Sequence, residues 1–328
     1  MVDHAPSRNL AMELVRVTEA AALSAARFMG RGDKKAGDQA AVDGMRLVLN
    51  TVEMDGIIVI GEGEKDDAPM LYNGEKLGTG DPPKVDIAVD PIDGTRPLAE
   101  GRVNSISTVA LAPSGTMYNP GPFVYMNKIA VGPAAKGAIN VEASVEENLR
   151  EIAKASGKRI QDLAVVMLER PRHEQLKAEV RRCGARLRMI DDGDVAGALM
   201  SAWPDSGIDV LMGIGGTPEG VIAACALRAM GGEIQGKLYA RNDEELARGK
   251  ALGYDFDKVL TMDDLVASEN VFFAATGITD GELLDGVKYS PTGARTHSLV
   301  VRGETGTVRQ VVATHRFDKL ETISPLVY

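Results

Sequence analysis

Two carboxylates separated by two residues follow an apolar stretch in "VDIAVDPIDGT". The β-branched residues of that stretch predict a buried strand that ends at Asp90, with a turn at Pro91 before Asp93. Gly94 permits a close approach of the backbone, and Thr95 offers a hydroxyl and an N–H group at a predicted helix start. Carboxylates in this arrangement suit a hard divalent cation, and the helix start suits a phosphate oxygen. Taken alone, Asp-Pro-Ile-Asp-Gly is more typical of a simple turn.

Further acidic residues occupy equivalent positions elsewhere in the chain. Each follows an apolar strand-like run or precedes a predicted helix: Asp38, Glu62, Glu64, Asp192, Asp194 and Glu219. In open α/β sheets, ligands bind in the crevice beyond the carboxyl ends of the strands. Carboxylates gathered there repel one another unless a cation lies between them, so the pattern predicts Mg²⁺ or Mn²⁺ held by oxygen ligands.

Three further motifs suit a phosphorylated sugar. "ERPRHE" places Arg170 and Arg172 after an apolar run, where two guanidinium groups could hold a dianionic phosphate or could lie in solvent at a helix start. "GIGGTPEG" is a glycine-rich turn before a helix, which alone is weak support for a ligand site because it lacks the lysine of a P-loop. "DDGD" at residues 191–194 could bind sugar hydroxyls or cap the next helix. The four histidines show no ligand spacing and are expected to be structural or solvated.

The composition limits the class of protein. The chain has 328 residues, 44% of them hydrophobic, and a formal net charge of −10, which disfavours nucleic acid or an anionic membrane as the main partner. Its cysteines, Cys183 and Cys225, suggest a reducing compartment without disulfides. We expect neither a membrane span nor a signal peptide, because Glu13 and Glu19 interrupt the N-terminal region and no apolar core precedes them. A cytoplasmic globular protein is the simplest interpretation.

The periodicity of apolar residues changes along the chain. Two helices are predicted before residue 53, followed by strands and an Asn73-Gly74 signal of a hairpin turn. From about Ser144, strands alternate with helices, and a terminal hairpin closes the sequence. This order predicts a layered α/β protein of two closely packed halves, residues 1–140 with the metal ligands and 141–328 with the sugar and distal-phosphate contacts, with a boundary near 137–145. A single compact unit is compatible with the same pattern.

These motifs resemble a known family. "GEGE" followed by "DPIDGT" is similar to the metal-binding signature of the lithium-sensitive phosphomonoesterase superfamily. Longer stretches resemble the class II fructose-1,6-bisphosphatases: "MGRGDKK", "IVIGEGEKDDAPMLYNGEKLGTG", "VYMNKIAVGP", "ERPRH", "DDGDVA", "GIGGTPEG" and "FFAATGIT". The similarity runs from about Leu10 to His315, whereas "RPLAEGRVNS" and "PGPFVYMNK" are less typical.

The resemblance implies an α/β/α/β/α layered sandwich of the sugar-phosphatase type, a homotetramer, and hydrolysis of the 1-phosphate of fructose 1,6-bisphosphate to fructose 6-phosphate in gluconeogenesis. The metal ligands implied are Asp38, Glu62, Asp90, Asp93 and Glu219. The substrate contacts implied are Asp93, Gly94, Thr95, Tyr125, Arg170, Pro171, Arg172, Asp192, Gly193, Asp194 and Gly216.

The negative charge of the phosphate and the positive charge of the implied metal ions then suggest the mechanism. Two or three Mg²⁺ or Mn²⁺ ions would neutralise the phosphate and lower the pKa of a bound water. Thr95, oriented by Asp38 or Glu62, would position or deprotonate that water. The alternatives are a related phosphatase, acting on inositol phosphates, a nucleotide bisphosphate or sedoheptulose bisphosphate, and a metal-dependent sugar-phosphate sensor without turnover.

Overall fold

The computed structural model describes residues 10–63 and 70–322. The helices are α1 (Ala11–Ala25), α2 (Lys34–Leu49), α3 (Thr95–Glu100), α4 (Val145–Ser156), α5 (Glu174–Cys183), α6 (Asp194–Ala202), α7 (Thr217–Met230), α8 (Asp243–Ala251), α9 (Met262–Leu265) and α10 (Phe317–Leu320). The strands are β1 (Asp55–Ile60), β2 (Lys76–Leu77), β3 (Lys84–Asp93), β4 (Ile106–Pro113), β5 (Tyr125–Val131), β6 (Ala164–Leu168), β7 (Arg186–Ile190), β8 (Val210–Gly216), β9 (Glu233–Leu238), β10 (Phe272–Gly277), β11 (Lys288–Ser290), β12 (Gly293–Arg302) and β13 (Thr307–Arg316).

The strands of the described ranges form two sheets. The larger sheet has the order β11-β12-β10-β4-β3-β1-β2, with β13 paired to β12. Its β1 and β3 are parallel, and β3 and β4 are antiparallel. The smaller sheet has the order β7-β6-β8-β5-β9, with β6 parallel to β7 and β8 and with β5 antiparallel to β8 and β9. Because both sheets mix parallel and antiparallel pairs, each has the ends of some strands and the starts of others at the same edge.

Helices cover the sheets in layers, as the sequence predicts. The outer face of the larger sheet packs on α1 and α2, and the outer face of the smaller sheet packs on α4 and α5. Between the sheets lie α6 and α7, which contact strands of both. The α7 sequence is apolar on almost every side, as expected for a helix enclosed on both faces. The α/β/α/β/α sandwich is therefore confirmed.

Local sequence signals explain several element boundaries. Ser144 and Glu147 form a reciprocal capping box that starts α4, and Gly157 ends that helix in the left-handed conformation. The Asn73-Gly74 pair does form a turn, closed by the Glu75 N–H to the Tyr72 carbonyl oxygen at 3.0 Å. It does not join two strands as a hairpin turn would, which corrects the prediction. The turn lies within the segment that connects β1 to β2. That segment is too long in sequence to be a two-residue hairpin connection.

Sheet membership does not follow one sequence boundary. Strand β5, which precedes residue 137, belongs to the smaller sheet, and β10 to β13 return to the larger sheet. The division near residues 137–145 stays a prediction. In the described ranges, no helix combines the length and the apolar character needed to cross a membrane.

Candidate active site

A cleft of about 340 Å³ lies where the strand ends of both sheets meet. Its lining comes from the end of β3 and the start of α3, the start of β5, the segments after β6 and β7, and the junction of β8 with α7. The lining residues are Asp90, Ile92, Asp93, Gly94, Thr95, Val124, Tyr125, Leu168, Arg170, Arg172, Asp192, Gly193, Asp194, Gly215, Gly216, Pro218 and Glu219. Most of the residues singled out from the sequence are thus brought together.

Three predicted residues do not line this cleft. Asp38 and Glu62 lie behind it, close enough to the lining carboxylates to act on them electrostatically. Pro171 lies between Arg170 and Arg172 in sequence. It is the first residue of a short 3₁₀ turn, Pro171–His173, that also contains Arg172. Glu64 lies outside the described residues.

The end of β3 differs from the turn that we expected at Pro91. The strand runs on to Asp93, and its pairing with β4 shifts register between Asp90 and Asp93. Because Pro91 has no N–H group, the ladder is interrupted there while the chain stays extended, so the feature is a bulge. Asp90 Oδ1 accepts a hydrogen bond from the Ile92 N–H at 3.0 Å. Both carboxylates still reach the cleft.

Asp93 connects the two sheets at the cleft. Its side chain is buried, and Oδ2 accepts a hydrogen bond from the Ala196 N–H at the start of α6, 3.1 Å away. Gly94 follows with φ of +100°, a conformation that an L side chain rarely adopts, and its carbonyl oxygen accepts from the Ser105 hydroxyl at 2.7 Å. This turn aims the first residue of α3 into the cleft.

Thr95 begins helix α3, as predicted. Its hydroxyl donates to the Ile92 carbonyl oxygen at 3.3 Å. The hydroxyl oxygen therefore has a defined orientation and retains lone pairs that can accept a further hydrogen bond. The side chain is half-buried on the cleft wall.

The junction of β8 and α7 brings backbone against a carboxylate. A Cβ atom on Gly216 would lie 1.6 Å from Glu219 Oε2, so only glycine leaves room for the carboxylate in this position. Glu219 Oε2 is enclosed and has no hydrogen-bond partner among the described residues. An enclosed, unpartnered carboxylate oxygen costs free energy unless a cation binds it.

The acidic residues of the cleft share one electrostatic property. Loss of water raises the pKa of Glu62 and that of Glu219 to about 7, and neighbouring carboxylates add to both shifts. Burial followed by mutual repulsion raises the pKa values of Asp90 and Asp93 well above the usual range. Burial also raises the pKa of Asp38. These carboxylates therefore disfavour ionisation together in the absence of cations.

The donor set fits divalent metal ions in its chemistry. All the side chains are oxygen donors, and one oxygen is enclosed without a partner. In the described part of the chain, however, no three His, Cys, Asp or Glu side chains converge on one point where an ion could be held.

Lys128 is a site residue that the sequence analysis missed. It lies in the middle of β5 and is 2% exposed, with Nζ 2.8 Å from Asp194 Oδ2 and 2.8 Å from the Gly216 carbonyl oxygen, to which it donates. It thus joins β5 to α6 and β8 beneath the cleft. Its only signal in the sequence is a single charged residue inside a predicted strand.

The two arginines after β6 have separate partners. Arg170 donates to Asp192 Oδ1 at 2.6 Å and to the Asp191 carbonyl oxygen at 2.5 Å. Arg172 donates through Nε and Nη2 to the Ile214 carbonyl oxygen at 3.1 and 2.8 Å. Its guanidinium carbon lies 5.1 Å from the centre of the Tyr125 ring. The cleft lining therefore contains two guanidinium groups as well as its carboxylates.

His173 is structural, as expected. It is buried, its Nδ1 lies 2.7 Å from the Leu168 carbonyl oxygen, and its Nε2 accepts from the Ile214 N–H at 2.8 Å. This network assigns the proton to Nδ1, and burial lowers the pKa of the imidazole. The neutral ring holds the end of β8 beside the turn that carries Arg172.

Comparison with known proteins decides the family. Residues 8–315 match the family model described as bacterial fructose-1,6-bisphosphatase, glpX-encoded. The chain belongs to this family. It is 47% identical over 325 residues, covering 95% of this chain and 96% of the relative, to fructose-1,6-bisphosphatase 1 class 2 of Escherichia coli strain K12. The same figures hold for fructose-1,6-bisphosphatases class 2 of Escherichia coli O6:H1 and Shigella flexneri. The protein is therefore a phosphatase of the hydrolase class.

Proposed function

We propose that this chain hydrolyses the 1-phosphate of fructose 1,6-bisphosphate, giving fructose 6-phosphate and inorganic phosphate. The observation that carries the proposal is the composition of the cleft wall. The carboxylates of Asp90, Asp93, Asp192, Asp194 and Glu219 line the same cleft as the guanidinium groups of Arg170 and Arg172. Such a cleft suits a polyol with a phosphate at each end, and the matched family model and relatives are named for this bisphosphate.

The metal ions belong to the acidic part of the cleft. Asp38, Glu62, Asp90, Asp93 and Glu219 would hold Mg²⁺ or Mn²⁺ through carboxylate oxygens. When bound, these ions supply charge neutralisation at the phosphate, a water of lowered pKa and stabilisation of the leaving oxygen. Holding them would also offset the repulsion between carboxylates that, after burial, raises the pKa values of Asp90 and Glu219.

The residues of the chain position the reaction. The Thr95 hydroxyl accepts a hydrogen bond from the attacking water, and Asp38 or Glu62 takes the proton that the water loses. The water oxygen bonds to the phosphorus of the 1-phosphate, and the bond from phosphorus to the sugar oxygen breaks. The sugar oxygen leaves and becomes a hydroxyl by taking up a proton, so hydrolysis consumes one water. The Gly94 and Thr95 backbone beside Asp93 would contact the transferred phosphate.

The remaining contacts select the substrate. Asp192, Gly193 and Asp194 would bind sugar hydroxyls, and Arg170 orients that loop through its bond to Asp192. Tyr125, Pro171, Arg172 and Gly216 would enclose the other end of the sugar and its distal phosphate. A cytoplasmic location, a role in gluconeogenesis and a homotetrameric assembly stay predictions.

Phosphate release from fructose 1,6-bisphosphate tests the proposal. We expect turnover with Mg²⁺ or Mn²⁺, none with EDTA, and a fall in kcat of about 10²- to 10⁴-fold in Thr95→Ala. Thr51→Ala is the matched control, because Thr51 is exposed just after α2 and its hydroxyl bonds only to the local backbone. A folded Thr95→Ala protein with a kcat within threefold of wild type would contradict the role of Thr95.

A further inference from the structure

Arg241 lies beside a cleft residue, on a segment that the sequence analysis did not include. Strand β9 pairs with β5, and the Tyr239 N–H extends this pairing by donating to the Tyr125 carbonyl oxygen at 2.9 Å. Two residues later, the guanidinium carbon of Arg241 lies 5.8 Å from the centre of the Tyr125 ring. Tyr125 lines the cleft, so Arg241 is next to the cleft wall without being part of its lining.

Glu245 fixes the orientation of Arg241. It accepts from Arg241 Nε and Nη2, both at 3.1 Å, and from the Arg241 backbone N–H at 2.6 Å. Asn242 caps α8 by accepting from the Glu245 N–H at 2.8 Å, which holds the carboxylate in turn. The remaining nitrogen, Nη1, has no hydrogen-bond partner among the described residues. Glu245 therefore holds the Nε and Nη2 side of the guanidinium, and Nη1 remains available to donate to a ligand.

Arg172 has the same arrangement beside the same ring. Its Nε and Nη2 donate to the Ile214 carbonyl oxygen, and within the described ranges no carboxylate lies within ion-pair distance of it. Both guanidinium groups lie beside one aromatic ring and keep N–H donors that an anion between them could accept from. A phosphate offers the acceptor oxygens that two such donors need.

Arg170 is committed elsewhere. Its Nη2 is paired with Asp192 at 2.6 Å, and its Nη1 donates to the Asp191 and Glu169 carbonyl oxygens at 2.5 and 3.0 Å, so it has fewer donors left for a phosphate than Arg172 or Arg241. We propose that Arg172, on the β8 side of β5, and Arg241, on the β9 side, bind the distal phosphate of the substrate, and that Arg170 positions the sugar-binding loop. This inference rests on the proposed function and adds Arg241 as a specificity residue.

The test compares two substrates with the complete protein. Fructose 1-phosphate carries the reacting phosphate and lacks the distal one. In Arg241→Gln we expect the KM for fructose 1,6-bisphosphate to rise about 10- to 100-fold, the loss typical of one charge-assisted hydrogen bond, with kcat within twofold of wild type. The kinetic constants for fructose 1-phosphate should stay within twofold, and Arg241→Lys should restore part of the KM.

Arg309→Gln is the matched control, since Arg309 is exposed on β13, outside the cleft lining, and its substitution should leave the kinetic constants for both substrates unchanged. Equal losses for both substrates in Arg241→Gln would indicate a general structural effect and overturn the inference, as would no change for either. Wild-type turnover of the bisphosphate does not depend on this assignment. A wild type that releases no phosphate from it overturns the proposed function and this inference together, whereas an active wild type with an unchanged Arg241→Gln overturns the inference alone.

Discussion

At the scale of single residues, burial raises the pKa of acidic side chains both at the cleft and away from it. Near the cleft, Glu62 and Glu219 lose water and face other carboxylates, which raises the pKa of each to about 7. Burial also raises the pKa of Glu19, on α1, to about 7, although the hydrogen bond that it accepts from the Thr296 hydroxyl at 3.1 Å acts in the opposite direction. Glu19 faces no cluster of carboxylates, so its raised pKa reports burial alone.

Glu19 makes stability depend on pH in a defined direction. Its pKa is raised from 4.5 to about 7 by burial, so the folded state holds an additional proton between these values. The stability that this proton contributes is complete below pH 4.5 and is lost as the pH rises through 7. We predict that Glu19→Gln, which resembles the protonated acid, is more stable than wild type by up to about 3 kcal/mol at pH 8, a figure that follows from the size of the shift.

Denaturant unfolding of both proteins at pH 5 and pH 8 measures this effect. His315 lies 2.8 Å from the Thr296 hydroxyl, and burial lowers its pKa, so its own contribution to stability rises with pH. His315 Nε2 also lies 3.8 Å from Glu19 Oε1, so a charged His315 stabilises wild type relative to Glu19→Gln at pH 5 and adds to the change expected between pH 5 and pH 8. Glu13→Gln, on the same helix but half-exposed, is the control. A difference between Glu19→Gln and wild type that does not change with pH would contradict the account.

At the scale of elements, the site is built from strand-to-helix junctions. The β3–α3, β7–α6 and β8–α7 junctions each bring an acidic residue and a glycine to the cleft. The sequence predicted these junctions because glycine and acid follow apolar runs in each case. It did not predict the bulge at Pro91, since whether a proline turns the chain or only interrupts a ladder depends on the partner strand.

Substitution at the β8–α7 junction should affect metal binding more than folding. Gly216 has φ of −68°, which alanine adopts without strain, but the added methyl would displace the Glu219 carboxylate. We predict that Gly216→Ala keeps its thermal transition and needs roughly tenfold or more Mg²⁺ for half-maximal activity. Titration of activity with Mg²⁺ measures this. Gly216→Ala combined with Glu219→Asp, which shortens the side chain, should recover part of the loss, and an unchanged Mg²⁺ requirement in the single variant would refute it.

At the scale of the whole molecule, local patterns predicted a layered α/β protein, and the pairing of distant strands determined its topology. The order of the layers came from the family resemblance, which implied the α/β/α/β/α sandwich that the structure confirms. The return of β10 to β13 to the larger sheet was not predicted, because strand order depends on contacts between distant segments. Lys128 and Arg241 were missed for the same reason. From the sequence alone, a lysine in a strand and an arginine in a loop resemble ordinary surface residues. Only the pairing of β5 with β8 and β9 shows that both lie close to the cleft residues.

The central claim is that the two-sheet cleft directs metal-dependent attack to one end of a sugar bisphosphate. Phosphorus-31 NMR of the complete reaction tests it most directly, because the two phosphates of fructose 1,6-bisphosphate and the products have separate signals. With Mg²⁺ and the wild-type protein, we predict loss of the 1-phosphate signal and equal appearance of fructose 6-phosphate and inorganic phosphate. Accumulation of fructose 1-phosphate, or retention of both substrate signals under conditions where the folded protein binds Mg²⁺, would contradict the account.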